Sequence, residues 1–496
     1  MVLGKTRSKA YARTETYVRY QPADLLLSKI GGLKFELEEL DERGEVAVFE
    51  VADRLQKSLD VEQVTKKFYK EFELEHQEFL GYIQGIDQES DRRWYVSVIL
   101  NRLMFVYFLE KKGFLDHGDT QYLSKKLKAS QKQGIDRFFN EFLETLFFEG
   151  FAKPERDRPR EVKALIGKVC YLNGGLFLKH SIEQNPNYTI TIADEAFERI
   201  FKLFEKYSWH LDDRPAGKPN EINPDVLGYI FEKYINQKAF GAYYTRPEIT
   251  EYLCDRTINK LILDRVNATM AQQQDPRKIQ QFDSIDDMVM HMEIDVCRHL
   301  VYGEDSILRN LSLLDPACGS GAFLIAAMKT LIRIYERVIG VVQLSTDHQL
   351  RDWLDGVVKD HPSLPYFIKK RIITDNLYGV DIMEEAVEIA KLRLFLALVS
   401  SARKVDELEP LPNIDFNIMA GNSLIGLIRV DEDGFDAVGD SEFQQGNLLQ
   451  LDAANSYRAI LEEKNRSIEL YKQRSFDSKE LEGTSQEAHL QWLRDH

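Results

Sequence analysis

The sequence has few cysteines, no long apolar run and no excess of positive charge. Its four cysteines are far apart and form no Cys-x-x-Cys pair, which excludes a zinc knuckle and favours a reducing compartment. The most apolar stretch, Trp94 to Phe108, is interrupted by Asn101 and Arg102, so it predicts a buried helix rather than a membrane span. The amino-terminal residues lack the apolar core of a signal peptide. We therefore expect a cytoplasmic protein with no membrane contact.

The charge balance limits what this chain does with nucleic acid. The formal net charge is −16, whereas non-specific DNA affinity comes mainly from Lys and Arg on phosphates. Basic residues cluster at Lys125–Lys132 and at Arg156–Lys163, and such clusters are typical of solvated faces. We therefore expect that this chain does not, by itself, provide the main part of the DNA-binding affinity.

A glycine-rich turn between an apolar run and an amphipathic pattern is the strongest candidate for a ligand site. The run Leu311 to Leu314 predicts a short strand that ends at Asp315. Gly319 and Gly321 allow the backbone to turn sharply and to approach a ligand, because neither carries a Cβ. Apolar residues from Ala322 to Val338 recur at helical spacing. The pattern predicts a strand, a loop and a helix that begins at the loop.

Two further strand ends follow downstream. Asn376 to Asp381 reads as a strand that ends in an acid, and Glu384–Ser400 as a helix that packs on the sheet. Alternation over Ile414–Ile418 predicts another strand, with a turn at Gly421 and Asn422. Helices inserted over roughly 341–373 account for the distance between the first two strands. The predicted class is α/β, with side chains converging at one sheet edge.

An aromatic segment lies ahead of this region. Asn223–Gln237 predicts a helix with an asparagine cap and a proline in its first turn. The sequence Phe240-Gly-Ala-Tyr-Tyr-Thr245 follows, and Thr245-Arg-Pro-Glu248 is a capping box for a helix that starts at Arg246. Two rings beside exposed helix N–H groups suit the covering of a small ligand.

These motifs resemble those of a known family. Gly-x-Tyr-Tyr-Thr-x-Pro followed by Asp-Pro-x-x-Gly-x-Gly is similar to the cofactor motifs of adenine-specific DNA methyltransferases, of the large type IIG restriction-modification and phage-defence kind. The resemblance covers roughly 225–428 and implies S-adenosyl-L-methionine as cofactor on a Rossmann-like domain. The cofactor-binding residues that it implies are Gly241, Tyr243, Tyr244, Thr245, Asp315, Ala317, Gly319, Gly321, Asp381 and Asn422. Asp381 would hold the ribose, and Asn422 would approach the adenine ring.

The sequence departs from the family at the catalytic motif. Those enzymes carry Asn-Pro-Pro-Tyr or Asp-Pro-Pro-Tyr after the third cofactor motif, and this sequence contains neither. Asn185-Pro-Asn-Tyr188 lies ahead of the cofactor loop and reads as a turn. We assign no catalytic residue and expect a truncated or split chain that is inactive alone. Double-stranded DNA and a second chain, or a missing carboxyl-terminal part with the catalytic motif and a target-recognition domain, would be its partners.

Other interpretations stay open. A non-catalytic subunit could use the cofactor or the fold to scaffold a defence complex, and protein glutamine methyltransferases share the same absent tetrapeptide. Glu50 lacks the lysine of a nuclease site, and His291, Glu293, Cys297 and His299 spread around a helix, so we expect no metal. The expected domains are a mixed segment (1–60), an α-helical domain (61–222), a helical segment with the aromatic motif (223–305), a Rossmann-like domain with an incomplete sheet (306–430) and an acidic, partly helical or disordered tail (431–496).

Overall fold

The computed structural model describes residues 2–6, 9–13, 61–172, 175–209, 221–222, 224, 228, 245, 247–273, 275, 279–425, 458 and 461–466. Outside these residues lie the expected strand around Glu50, most of the helix expected over Asn223–Gln237, the candidate residues Gly241, Tyr243 and Tyr244, and nearly all of the acidic tail. At the amino terminus, β1 (Val2–Thr6) and β2 (Lys9–Arg13) form an antiparallel hairpin.

The region between Val61 and Trp209 is mostly helical, as its periodicity predicts. Its helices are α1 (Val61–Tyr82), α2 (Glu89–Lys111), α3 (Tyr122–Gln133), the π-helical segments Phe138–Leu143 and Thr145–Phe151, α4 (Arg160–Ile166), α5 (Ser181–Gln184) and α6 (Asp194–Glu205). Short 3-10 turns lie at Glu155–Asp157 and Gly175–Phe177. Short strands pair as β3 (Ile83–Gln84) with β4 (Thr191–Ile192) and as β5 (Ser208–Trp209) with β6 (Glu221–Ile222).

Helix α2 lies at the centre of this region. Apolar residues occur on all of its sides, which is the pattern of a helix buried all round rather than an amphipathic surface helix. Its buried Arg102 pairs with Glu183 at 2.7 Å, so the charge that enters the core is compensated there. No helix in the described part of the chain combines the length and the apolarity needed to span a bilayer. The prediction of a buried helix over Trp94–Phe108 is confirmed.

The two basic clusters differ in part from the predicted solvated faces. Lys125 is exposed and pairs with Asp119 at 2.8 Å. Arg158, in contrast, is only 4% exposed and donates to the carbonyls of Lys153 and Val169 at 2.9 and 2.7 Å. The prediction is therefore wrong for Arg158, because its guanidinium satisfies buried backbone acceptors.

A helical segment precedes the sheet. It contains α7 (Pro247–Cys254), a π-helical turn (Asp255–Asn259), α8 (Lys260–Ala271), α9 (Ile285–His291) and α10 (Ile294–Val301). The helix expected from Arg246 is present over Pro247–Cys254, and Arg246 itself lies outside the described residues. Asn267 binds both the N–H and the carbonyl of Phe282 and so fastens the connection between α8 and α9.

The carboxyl-terminal part of the described chain alternates strands and helices. In order it contains β7 (Leu313–Asp315), α11 (Ala322–Leu344), α12 (His348–Asp360), α13 (Leu364–Arg371), a π-helical turn (Ile372–Asn376), β8 (Leu377–Asp381), α14 (Glu384–Ser400), a 3-10 turn (Val405–Glu407) and β9 (Ile418–Ala420). The strands pair in parallel in the order β7-β8-β9. Helices α11 and α14 both pack on β8.

Several predictions for this part are confirmed. The strand ending at Asp381, the helix Glu384–Ser400 and a helical insertion between β7 and β8 are all present. The strand expected over Ile414–Ile418 is displaced and begins only at Ile418. Asn417 explains the shift, because its buried amide donates to the carbonyls of Thr374 and Leu377 and holds the preceding residues in a turn. The described protein is thus mostly helical with a small parallel sheet.

The helical region and the sheet region are in direct contact through α14. Lys112 donates to the carbonyl of Ser400 at 2.6 Å, at the end of that helix. His180 contacts Glu388 at 3.2 Å, nearer the start of the same helix. A cation at a helix carboxyl terminus satisfies carbonyls that have no intrahelical partner. Helix α14 therefore packs against the sheet on one side and the helical region on the other.

Candidate functional site

The candidate loop connects β7 to the amino terminus of α11. Gly319 has φ +52° and Gly321 has φ +82°, so both adopt left-handed conformations that L side chains rarely take. A Cβ on Gly321 would also lie 3.1 Å from Cβ of Ala390 on α14. The loop therefore needs glycine at both positions, and at Gly321 for close packing as well. The first backbone N–H groups of a 23-residue helix follow it directly.

Asp381 connects the end of β8 to this loop. Its Oδ2 accepts a hydrogen bond from the N–H of Gly319 at 2.8 Å, and its Oδ1 accepts from the N–H of Met383 at 3.0 Å. A second link joins the same elements, because the N–H of Cys318 donates to the carbonyl of Val380 at 3.0 Å. The sequence placed Asp381 at a strand end, and the structure places its carboxylate against the loop.

Asp315 lies at the end of the neighbouring strand with one oxygen engaged. Its Oδ1 accepts from the N–H of Ala317 at 3.1 Å, which shapes the start of the loop. Its Oδ2 is buried and has no hydrogen-bond partner. Burial, assisted by the nearby Asp381 carboxylate, raises the pKa of Asp315 above its ordinary value. A buried carboxylate oxygen in this state suits a cationic or hydrogen-donating ligand group.

Asn422 follows the third strand at the same edge of the sheet. The N–H of Gly421 donates to the carbonyl of Asp381 at 2.8 Å, so the turn after β9 begins beside the end of β8. The Oδ1 of Asn422 accepts from the N–H of Leu424 at 2.9 Å, which caps that turn, and the side chain is exposed. The structure thus brings together Asp315, Ala317, Gly319, Gly321, Asp381 and Asn422.

Of the aromatic segment, only Thr245 lies within the described residues. It is half-buried and comes just before α7, which packs along α11. Gly241, Tyr243 and Tyr244 lie outside the described part of the chain. Their predicted contact with a cofactor stays a prediction.

Two buried features of the site were missed by sequence reasoning. Arg393 on α14 donates to the carbonyl of Ser320, within the loop, at 2.9 Å. A Cβ on Gly379 of β8 would lie 3.0 Å from the sulfur of Cys318, so the strand needs glycine where the loop packs on it. Burial, with the charges of Asp315 and Asp381, raises the pKa of the Cys318 thiol to about 12. For the contact of Arg393 with the loop, the available sequence signal was a single arginine inside the apolar pattern of Glu384–Ser400.

The other candidates lie in structural contacts. Asn185–Tyr188 forms the predicted turn, and the Tyr188 hydroxyl binds Asp91 at 2.9 Å in the helical region. His291 contacts Asp287 at 2.8 Å, and His299 contacts Gln273 at 2.8 Å. Within the described residues, no group of His, Cys, Asp and Glu is arranged to hold a metal ion.

Two protein-family models match this chain. Residues 300–424 match the DNA-methyltransferase domain of MmeI, a range that includes β7, β8 and β9 with their loops. Residues 36–252 match a domain of unknown function, which includes the described helical region up to α6. The sheet region and the helical region therefore correspond to separate family models.

Curated relatives are much longer than this chain. It is 34% identical over 355 residues to a "Putative type II restriction enzyme and methyltransferase" of Methanocaldococcus jannaschii, covering 68% of this chain and 28% of that protein. It is 23% identical to DNA methyltransferase A of Bacillus subtilis, over 61% of this chain and 27% of that protein. It is 24% identical to a type II restriction enzyme and methyltransferase of Escherichia coli, over 58% of this chain and 25% of that protein. The chain thus spans about a quarter of the length of each relative.

Proposed function

We propose that this chain binds S-adenosylmethionine for the methylation of adenine in double-stranded DNA. Its residues 300–424 are a DNA-methyltransferase domain of the MmeI type, related to type IIG-like enzymes. The hydrogen bond from Gly319 to Asp381 supports the proposal most directly, because it joins two of the candidate cofactor segments inside the matched range. We further propose that β7, β8 and β9 belong to a Rossmann-like domain over 306–430.

The residues of the site fit such a cofactor. S-adenosylmethionine supplies an activated methyl group on a sulfonium, and its methionine part carries an ammonium. The buried Oδ2 of Asp315 has no donor and would be compensated by a positively charged or N–H-bearing group. The glycine loop brings backbone close to a ligand at the start of α11, where N–H groups suit a carboxylate.

The remaining residues have distinct proposed roles. Asp381 would accept from the ribose hydroxyls while it holds Gly319, since each carboxylate oxygen has more than one acceptor site. Asn422 would contact the adenine edge of the cofactor through its exposed amide. Thr245, with Gly241, Tyr243 and Tyr244, would cover the methionine end.

Transfer to DNA requires groups beyond this site. An adenine in a duplex must be flipped out and held by stacking and hydrogen bonding before its exocyclic amine is methylated. Residues 1–496 contain no Asn-Pro-Pro-Tyr or Asp-Pro-Pro-Tyr, so we assign no base-holding residue here. A second chain or further protein sequence that supplies those groups is the partner implied by this assignment.

Calorimetry with S-adenosylmethionine and with its demethylated product tests the cofactor assignment. We expect saturable binding of one molecule per chain, together with ultraviolet crosslinking of methyl-labelled cofactor to peptides that include Asp315–Leu324. An excess of ATP should not compete. Absence of saturable binding, or crosslinking confined to the helical region, would contradict the proposal.

Adenine specificity requires its own experiment. The chain is incubated with unmethylated duplex DNA and methyl-labelled cofactor, alone and with extract of the source cells, and the nucleosides are then separated. Label that enters N6-methyladenine supports the assignment. Label that enters a cytosine product instead would refute it, without affecting the calorimetric result.

A further inference from the structure

A buried arginine contacts the candidate cofactor loop near the end that leads into α11. Arg393 is 6% exposed and Ser320 is 0% exposed. The Nη1 of Arg393 donates to the carbonyl oxygen of Ser320 at 2.9 Å and lies 3.2 Å from its hydroxyl oxygen. Ser320 lies between Gly319 and Gly321, the two residues with left-handed conformations. The guanidinium therefore binds the peptide group that those two unusual conformations orient.

Gly228 lies against the same guanidinium. Gly228 is buried and helical, and a Cβ built on it would lie 2.5 Å from Nη1 and 2.7 Å from Cζ of Arg393. Contacts below 3.0 Å are essentially absent for real Cβ atoms, so only glycine fits unless the arginine moves. The guanidinium of Arg393 therefore lies between Ser320 of the loop and Gly228.

Such an arrangement is an expensive way to stabilise a fold. Removing a guanidinium from water costs several kcal/mol, on the order of the whole stability of a domain, and apolar residues often replace buried ion pairs without loss. Arg393 instead provides a donor at the carbonyl of Ser320. That peptide lies next to Gly319, whose N–H binds Asp381, and next to Gly321, from which α11 begins. Fixing it restrains the part of the loop that leads into α11.

We propose that Arg393 is a positioning residue that preorganises the Asp315–Gly321 loop for its ligand, and that Gly228 is the glycine that this placement requires. The identity of the ligand in this inference rests on the proposed cofactor function. The structural part of the inference, that Arg393 stiffens the loop, does not depend on that function. In this proposal Arg393 acts on the ligand indirectly, through its contact with Ser320.

Hydrogen exchange of the ligand-free chain tests the structural part. In Arg393→Met, which keeps an unbranched apolar stem and loses the donors, we expect amides in peptides spanning Asp315–Leu324 to exchange about tenfold faster or more, as for loss of a bond worth ~1.4 kcal/mol. Arg393→Lys restores one charged donor and should exchange at an intermediate rate. The matched control is Arg158→Met, which removes a buried arginine that also donates to two backbone carbonyls.

The control separates positioning from general stability. Arg158→Met should lower the melting temperature and leave exchange in the loop unchanged. Should Arg393→Met also leave the loop peptides unchanged while it lowers the melting temperature, Arg393 is a stabilising residue only and the proposal is wrong. Gly228→Ala provides a second route, because it displaces the guanidinium without removing it, and it should accelerate loop exchange as Arg393→Met does.

Affinity for S-adenosylmethionine, measured well below the melting temperature of each variant, tests the functional part. We expect Arg393→Met to weaken binding about tenfold or more, Arg393→Lys to recover part of that loss, and Arg158→Met to bind as the unmodified chain does. Binding by the unmodified chain that is unchanged in Arg393→Met would overturn the inference and leave the cofactor assignment intact. Failure of the unmodified chain to bind would overturn the cofactor assignment, while the exchange result still decides the role of Arg393 in the loop.

Discussion

The backbone N–H of Gly319 and the Oδ2 of Asp381 form a 2.8 Å hydrogen bond between residues that are 62 positions apart. This bond joins the turn after β7 to the end of β8. The second oxygen of the same carboxylate binds the N–H of Met383 at the start of α14. Asp381 therefore shapes the loop, and its carboxylate oxygens keep further acceptor sites for the proposed cofactor.

Replacement of Asp381 should weaken S-adenosylmethionine binding by two routes. Asp381→Asn keeps one oxygen for a backbone N–H and loses the other, whereas Asp381→Ala loses both. Hydrogen bonds to charged groups contribute roughly 1.5–3 kcal/mol, so we expect a loss of affinity of about tenfold or more, larger for alanine. Titration calorimetry on both variants measures this difference.

Asp415 offers a matched control for Asp381. Its carboxylate pairs with Lys391 on α14 at 2.6 Å but precedes β9, at the opposite end of that strand from the candidate site. Asp415→Asn should bind the cofactor normally. Normal binding by Asp381→Ala would remove Asp381 from the site.

Local patterns were sufficient for the strand ends and for the helix Glu384–Ser400. Strand periodicity, a terminal acid and glycines at sharp turns are signals carried by neighbouring residues. The contacts that complete the site are not local. Arg393 and Ser320 are 73 positions apart, and although an arginine in an apolar helix is a signal, it does not indicate which residue it contacts. The prediction of a strand over Ile414–Ile418 failed for the same reason. The side-chain amide of Asn417 binds a carbonyl of the π-helical turn before β8, and this contact holds the preceding residues out of a strand.

Asp315→Asn should stabilise the ligand-free chain and weaken its binding of a cation. Burial raises the pKa of Asp315 above 3.8, so the folded state favours the protonated form. The stability contributed by that proton is fully present below the unfolded pKa and is lost as the pH rises through the folded value. Asparagine keeps the oxygen that accepts from Ala317 and carries no charge.

The comparison is made by thermal unfolding between about pH 4 and pH 8, without ligand. We expect the melting temperature of Asp315→Asn to exceed that of the unmodified chain near pH 8 and the difference to shrink towards pH 4. S-adenosylmethionine should then raise the melting temperature of the unmodified chain more than that of the variant. A variant that is less stable at every pH would show that the Asp315 charge is already compensated.

Gly379→Ala should destabilise the sheet through a collision with the loop. The added Cβ would lie 3.0 Å from both the sulfur of Cys318 and Cδ1 of Leu324, inside a parallel strand with little freedom to move. Overpacking of this kind costs typically about 1–3 kcal/mol. Chemical denaturation of Gly379→Ala, Cys318→Ala and the double variant gives the coupling energy between the two positions. We expect the double variant to lose less stability than the sum of the two single losses, because removal of the sulfur relieves the collision.

Gly340 supplies the control for this substitution. It lies inside α11, and a Cβ there would meet nothing within 4 Å. Gly340→Ala should be neutral or stabilising by up to about 1 kcal/mol, because alanine favours the helix. If Gly379→Ala proves as harmless as Gly340→Ala, the close packing of the loop on β8 is not present in solution.

Substitution of Asn376 should lower the folding stability more than substitution of any other asparagine in the sheet region. It is 0% exposed, and its Nδ2 donates to the carbonyls of Leu308 and Leu311, each at 2.7 Å, which fastens the start of β8 to the segment that leads into β7. Asn376→Leu leaves both carbonyls without a donor, at a cost of about 1–3 kcal/mol for each buried group. Asn376→Asp also places a carboxylate against two carbonyl oxygens, so its loss of stability should grow as the pH rises and the acid ionises.

Urea unfolding at pH 5 and pH 8 distinguishes these effects. Asn310 is the control, because its Nδ2 also donates to two carbonyls, those of Glu304 and Ser306, but its side chain is exposed to water. Asn310→Asp should change the free energy of unfolding by no more than about 0.5 kcal/mol at either pH. Since Asn376 fixes where β8 begins relative to β7, its variants should also lose affinity for S-adenosylmethionine at urea concentrations well below unfolding. Stability lost without any loss of affinity would mean that the ends of the two strands keep their alignment by other contacts.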